Sequence, residues 1–341
     1  MIPEKNKKEG VCYAWSDGGL ELPVIDLTHP AFAFEISDAE LETLIEKFVL
    51  SLKMQANAPA AAMQAAAGQS ILLRSMLESA GTYTSGLMTY LNKLGPDNLG
   101  EGYASPIDRQ WAASLTPVTF RWRMRDVARV LVSGLAPALR ARPVDPLHLL
   151  NIGGGVAADS LNALLLINKE HPKLLPGRQV ILHVLDIDRE GPSFGRRALQ
   201  ALLANDAPLH GLTIDFDDVL YDWSNTSSLR QFIDRTQLDQ SVCACSTEGG
   251  LFEFASDGDI VANLEQLRQG TPADFFVTGP VVRDASTLDP RLRITEHVPG
   301  RPAIRYLGQA YFGALVARAG WRIECTLDGP MHQVVRLVKA A

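Results

Sequence analysis

The chain has 341 residues, 46% hydrophobic and 21% charged, close to the globular average. These values exclude a disordered tail, a collagen-like rod and a disulfide mini-scaffold, and the length suggests about two domains. Net charge is −7, from 32 basic against 39 acidic residues, so no nucleic-acid partner is expected, because such partners favour a basic surplus.

Cys12, Cys243, Cys245 and Cys325 form no CxxC pair and no disulfide pattern, which reads as a reduced, cytoplasmic chain. The charged start MIPEKNKKEG is not followed by an apolar run, so no targeting segment is expected. The Ala-rich stretch 54–68 is interrupted by Gln55, Asn57, Pro59 and Gln64, so it reads as a helix or helix pair and not as a membrane span.

Residues 1–145 read as helical, with little strand signal. LPVIDLTHPAFAF is a short extended piece broken by Pro30. Ser37 and Glu40 then form a capping box, followed by Leu41, Leu44, Ile45, Phe48, Val49 and Leu52 at helical spacing. QSILLRSMLESAGTYTSGLMTYLNKLG predicts one or two helices ended by Gly95 and Pro96. DNLGEGYASPIDRQW reads as a polar, Gly-rich loop, and a further helix is expected over 117–139.

Residues 146–341 alternate. LHLLNI, VILHVLDI, LTIDFDDVL, SVCACS and DFFVTGPV read as strands, with helical patterns between them. Such alternation implies a mostly parallel sheet covered by helices. At the end, WRIECTL and HQVVRLVK are separated only by a short turn at Asp328, Gly329 and Pro330, which forces an antiparallel hairpin.

LHLLNI runs straight into Gly153, Gly154, Gly155, Val156, Ala157 and Ala158. Glycines permit a sharp turn and close approach of a ligand to the backbone, and the following helix start offers free N–H groups. The second strand ends at Asp186, placed to accept the ribose hydroxyls of an adenosine; Asp188 reads as a helix-start acid. Both features fit either a nicotinamide dinucleotide or S-adenosylmethionine.

The terminal hairpin separates these two. With Asn151, Gly153, Gly154 and Gly155 as first motif, Asp186, then Asp222 and Trp223 after the third strand, and Cys245 and Ser246 ending the fourth, residues 146–341 resemble the class I S-adenosylmethionine-dependent methyltransferases. The resemblance implies an α/β, Rossmann-like seven-stranded sheet with an antiparallel last strand, preceded here by an N-terminal helical domain (1–145). It implies S-adenosylmethionine as cofactor, with Gly153 and Gly155 near its methionine part, Asp186 on the ribose and Asp222 and Trp223 beside the adenine. The sequence departs from the family at Asn151, where an acid is usual, and at Ala157, where a third glycine is usual.

Ligands in open α/β sheets lie outside the carboxyl ends of the strands. Glu248, directly at the end of the fourth strand, is therefore the candidate general base or substrate-ammonium binder, with Ser246 beside it. The resemblance implies that the N-terminal helices act as a lid and supply the substrate pocket or a homodimer contact. Tyr83, Tyr90, Tyr103, Arg109 and Trp111 are candidates to line that pocket, Tyr103 foremost because it lies in the Gly-rich loop. The run Arg121 to Arg125 could bind a carboxylate, but its default reading is a solvated helix edge paired with Asp126 and nearby Glu residues. The seven histidines are scattered without metal-ligand spacing, so no metal is expected. His183, Cys243 and Cys245 read as core residues of strands.

The expected activity is methyl transfer to a small molecule of natural-product or amino-acid metabolism. The resemblance leaves two alternatives. One is closure of the aminocarboxypropyl arm of S-adenosylmethionine to azetidine-2-carboxylate with release of methylthioadenosine. The other is a non-catalytic S-adenosylmethionine-binding module.

Overall fold

A computed structural model describes residues 7–56, 59–78, 83–293 and 304–341. The first described strands form a small antiparallel hairpin, β1 (Tyr13–Trp15) and β2 (Glu21–Pro23), in a region where little strand signal was read and whose second strand overlaps the start of the extended piece. Helix α1 (Asp38–Ala56) begins at the Ser37–Glu40 box: the Ser37 N–H donates to Glu40 Oε2 at 2.8 Å. The Ala-rich stretch is divided between the end of α1 and α2 (Ala60–Gly68), and α3 (Ile71–Glu78) and α4 (Gly86–Lys93) follow.

The stretch read as a loop contains a helix, α5 (Pro106–Ala112). Ser105 caps it, accepting from the Asp108 N–H at 3.1 Å while Asp108 accepts from the Ser105 N–H at 3.1 Å. Pro106 at the first helical position suits this start, since its missing N–H would have been unpaired there. The surrounding glycines masked that signal. The long helix α6 (Leu115–Ala141) covers the predicted 117–139.

Beyond it the alternation follows the predicted order: β3 (Leu147–Ile152), α7 (Ala158–Glu170), β4 (Gln179–Asp186), α8 (Glu190–Leu203), β5 (Thr213–Leu220), α9 (Ser227–Thr236), β6 (Val242–Ser246), α10 (Leu251–Phe254), α11 (Asp257–Gly270), β7 (Phe276–Val282), α12 (Gly308–Arg318), β8 (Trp321–Asp328) and β9 (His332–Lys339). The seven strands pair in the order β5-β4-β3-β6-β7-β9-β8. All pairs up to β7 are parallel, while β9 inserts antiparallel between β7 and β8.

Alternate strand residues feed two apolar layers. Leu149 and Leu182 join a core that runs through Val127, Leu131 and Leu135 of α6 to Ala14 and Leu22 of the hairpin. Leu150, Ile152 and Leu185 join Phe232, Leu264 and Phe312 on the opposite face. The first layer is continuous across residue 145, because α6 lies against α7, β6, β7 and β9. Burying that face of α6 therefore ties the N-terminal helices to the sheet, which places α4 and α6 beside the carboxyl ends of the strands. Among the described residues, no helix is long and apolar enough to cross a membrane.

Candidate functional site

The glycine turn follows the central strand β3. Gly153 and Gly155 have φ of 63° and 50°, a region that side chains other than glycine rarely enter. Gly154 has no room for a side chain, since a Cβ there would lie 2.5 Å from the Asn151 Cβ. The Gly155 N–H donates to Asp186 Oδ2 at 2.7 Å, and the Asp188 N–H to Asp186 Oδ1 at 2.8 Å. The structure thus brings the first motif and the acid of the second strand together. Each Asp186 oxygen accepts one of these bonds, which leaves acceptor capacity on both. Burial raises the Asp186 carboxyl above its ordinary range, against the backbone bonds that lower it.

Asp188 lies two residues before α8 and accepts from the Glu190 N–H at 3.1 Å, as expected of a helix-start acid, but it also reaches the N-terminal helices. Its Oδ2 accepts from the Gly86 N–H at 2.7 Å and the Gly191 N–H at 3.0 Å. Gly86, Gly155 and Gly191 meet here: a Cβ on Gly86 would lie 2.7 Å from Gly155 Cα. The start of α4 therefore seats directly on the glycine turn.

Trp223 packs over Gly153, with Tyr83 edge-on to it at 5.3 Å between ring centroids and to Phe254 at 5.7 Å. Asp222 is exposed and closes a local turn, accepting from the Ser224 N–H at 2.9 Å and hydroxyl at 2.8 Å. The segment after β6 lies against the same turn, where a Cβ on Gly249 would fall 1.4 Å from the Gly153 carbonyl oxygen.

Asn151 is fully buried. Its Oδ1 accepts from the Ser160 hydroxyl at 2.8 Å and the Ser246 hydroxyl at 3.1 Å, tying β3 to α7 and to β6. Ser246 finishes its strand between Asn151 and Asp159, whose carboxyl it stabilises.

Two expectations need correction. Tyr103 does not line a pocket: it is fully buried in the apolar core, and its hydroxyl donates to the Glu21 carbonyl at 3.0 Å. Glu248 is not a free base. Its Oε2 pairs with the Lys93 ammonium and its Oε1 accepts from Arg123 Nε at 2.9 Å, all three groups buried. Arg123 also donates to Glu253 at 2.8 and 2.9 Å, and His332 Nε2 lies 2.8 Å from the same carboxylate. Burial would raise the Glu253 carboxyl, but Arg123 and His332 outweigh it and pull it down to about 2.

The reading of residues 121–125 as a solvated edge also fails at Arg123. The signal was present: Thr119, Arg123, Val127 and Val130 share one helical face, all buried. A cation on an apolar face requires a buried partner, and Glu248 and Glu253 supply it. Of the remaining pocket candidates, Tyr90 bridges Pro23 and Ile25 and Trp111 donates to Asn92, while Arg109 caps the Pro96 carbonyl. Only Tyr83 reaches the glycine turn, through Trp223.

His183 is a satisfied core histidine, as expected, held between His148 (2.9 Å) and Asp217 (3.0 Å). Sequence reasoning missed Lys93, Glu253, His332 and Asp159. Asp159 lies in the first turn of α7, is 2% exposed, and its Oδ2 has no hydrogen-bond partner.

No family model and no curated protein matches the sequence. Among solved structures, a possible exported protein from Bordetella parapertussis is similar over 90% of this chain and 98% of its own, at 18% identity and a TM-score of 0.55. The mitomycin 7-O-methyltransferase MmcR aligns over 89% and 100% at 14% identity with a TM-score of 0.44. A Burkholderia thailandensis 1,6-didemethyltoxoflavin-N1-methyltransferase aligns over 64% and 78% at 13% identity with a TM-score of 0.40. The strand order, with β9 inserted antiparallel, is the seven-stranded α/β arrangement with one antiparallel strand that the sequence led us to expect.

Proposed function

We propose that the chain is an S-adenosylmethionine-dependent enzyme that transfers a methyl group to a small molecule. The observation that carries this reading is the 2.7 Å bond from the Gly155 N–H to Asp186, which ties a side-chain-free turn to a strand-end acid. A turn built on Gly153, Gly154 and Gly155 suits close approach of the amino-acid part of the cofactor. Asp186 retains acceptor capacity for the two ribose hydroxyls. Trp223 and Tyr83 offer aromatic walls for the adenine. The residues present therefore fit the group. When bound, S-adenosylmethionine supplies an electrophilic methyl group.

In-line displacement depends on positioning and exclusion of water more than on a strong base. The chain's own part is then to hold the acceptor beside the strand ends. Lys93 and Arg123 fix Glu248 and Glu253 there, and together they carry α4 and α6 across the mouth. That enclosure supports a compact acceptor from natural-product or amino-acid metabolism. The acidic balance supports the absence of nucleic acid, and four unpaired cysteines support a cytoplasmic location. We keep residues 1–145 as the lid and substrate domain, supplying the acceptor pocket or a homodimer contact, and 146–341 as the cofactor domain.

The test is incubation with S-adenosylmethionine, first alone and then with pools of small acceptors, with the nucleoside products resolved by chromatography. S-adenosylhomocysteine formed only in the presence of an acceptor is expected. Methylthioadenosine formed without any acceptor would overturn methyl transfer in favour of cofactor cyclisation. Binding without turnover under all conditions would leave only a binding module.

A further inference from the structure

The face of the sheet opposite α6 carries a hydrogen-bonded chain that the proposed reaction does not use. Asp217 on β5 and His183 on β4 are register partners, and His148 lies on β3, two residues before Leu150, the β3 partner of His183. His183 Nδ1 lies 3.0 Å from Asp217 Oδ2, and His183 Nε2 lies 2.9 Å from His148 Nδ1. The two rings stack at 9° with centroids 5.1 Å apart, and Phe232 of α9 closes over His183 edge-on at 5.0 Å. One line of side chains thus crosses three neighbouring strands. Two of them, β3 and β4, run on into the glycine turn and Asp186.

The geometry dictates the proton positions. An ionised Asp217 only accepts, so His183 Nδ1 donates to it. With both rings neutral, His183 Nε2 is then the acceptor and His148 Nδ1 the donor. One added proton, on His148 Nε2, leaves both bonds intact. A second sets N–H against N–H between the stacked rings, and the bond between them is lost.

The surroundings resist that second proton. Asp217 is the carboxylate that serves the line, and its side chain is 45% exposed, so water reaches it. Arg235 of α9 opposes protonation of His183. The β6 partner of His148 is Cys243, whose thiol burial pushes up to about 12, so it stays neutral. Beyond it, Arg142 pairs with Asp274, and Lys339 donates to the Thr271 carbonyl. Burial, with His183 adding to it, pushes the His148 imidazole down to about 4. Burial also lowers His183, against the pull of Asp217.

We propose that Asp217, His183 and His148 form a pH-sensitive strap across β5, β4 and β3, closed while the two rings carry at most one added proton and opened by the second. The strap does not depend on the S-adenosylmethionine reading. Above about pH 7 both imidazoles are neutral in the folded and the unfolded chain, so nothing is lost there. Below the ordinary value of 6.5 the unfolded chain takes up protons that the folded strap refuses until pH nears about 4. Stability is therefore complete above that ordinary value and falls with pH below it. The loss is local to the strands that carry the glycine turn and Asp186.

The test uses the full chain with nitrogen-15 in its histidines, titrated by NMR from about pH 7.5 to about pH 5, a span that brackets the ordinary histidine value. Both rings are expected in the Nδ1–H form at the upper end, and the pair should hold fewer than two added protons at the lower end. Urea unfolding constants should rise about tenfold more in wild type than in His148→Phe between about pH 6.5 and about pH 5, because the variant lacks one refused proton. Hydrogen exchange should show the amides of β3, β4 and β5 losing protection over that range before those of β8 and β9. Two imidazolium rings in the folded chain at about pH 6 would overturn the strap. Parallel pH profiles of wild type and variant, or equal loss of protection at both ends of the sheet, would overturn it as well. Should His148→Phe fail to fold, the titration and the exchange on wild type decide.

Discussion

At the β3–β4 corner of the sheet, carboxylates are satisfied by main-chain N–H groups; at the β6 corner they are satisfied by cationic side chains. Asp186 accepts from Gly155 and Asp188, and Asp188 from Gly86 and Gly191. Glu248 and Glu253 are held by Lys93, Arg123 and His332. Most of the first arrangement comes from a turn and the adjacent strand end, so it forms with the sheet. The second requires α4 and α6 to dock, because Lys93 and Arg123 lie 155 and 125 residues from Glu248 in the chain. One corner is intrinsic to the fold, and the other reports whether the N-terminal helices are seated.

The largest effect should come from breaking the cationic corner. Arg123→Met removes a guanidinium that serves two buried carboxylates and leaves Glu253 with His332 alone and Glu248 with Lys93 alone. Removing one partner of a buried ion pair costs about 3–5 kcal/mol. Urea unfolding should show a loss of that size. Adding Glu248→Gln and Glu253→Gln should restore a large part of it, because the uncompensated charges go too. A loss below about 1 kcal/mol would mean that the network is solvated and comparable to a surface pair.

The two corners should also part in acid. The Glu253 carboxyl lies at about 2 in the fold against an ordinary 4.5, with burial opposing and Arg123 and His332 prevailing. Its stabilisation is therefore complete above about pH 4.5 and is lost as pH falls towards about 2. A shift of that size corresponds to about 3 kcal/mol. Asp186 has the opposite sign: burial raises it, so its contribution is present at low pH and declines as pH rises through its folded value. Denaturation midpoints across that acid range should fall in wild type and fall less steeply in Glu253→Gln. Identical slopes would remove Glu253 as the source.

The same contrast explains which parts of the molecule were legible. Strand alternation, the glycine turn, Asp186 and the terminal hairpin are written in contiguous residues with period-two patterning, and each was readable. The Glu248 role was not, because a strand-end acid looks identical whether it faces a substrate or an arginine from a distant helix. Tyr103 misled for a related reason: glycines around it suggested an open loop, while its ring is buried in the core and its hydroxyl is bound to the hairpin. Arg123 could have been recognised by its place on the apolar face of α6.

The amide corner should respond chiefly in binding. Asp186→Ala removes the acceptor that serves Gly155 and Asp188 and the proposed ribose contact. Calorimetry with S-adenosylhomocysteine should show an affinity loss of more than tenfold, ~1.4 kcal/mol. Unchanged affinity would detach Asp186 from the ribose and reduce its role to fixing the turn.

The smallest effect tests the turn itself. Ala157, which precedes α7, sits at φ 58° and ψ 35°, the left-handed region. A Cβ there crowds the following carbonyl oxygen, at roughly 1–2 kcal/mol. Glycine would relieve that crowding, but it would also add freedom to the unfolded chain, at about 0.4–1 kcal/mol. The difference predicts that Ala157→Gly stabilises the protein by about 0.5–1 kcal/mol, visible as a rise of about 2 °C in melting temperature. Ala157 is fully buried, so the deleted methyl opposes the gain. A net loss would show that packing of that methyl outweighs the strain. The turn would then be held by its surroundings, as the β6 corner is, and the distinction between an intrinsic corner and a docked one would narrow.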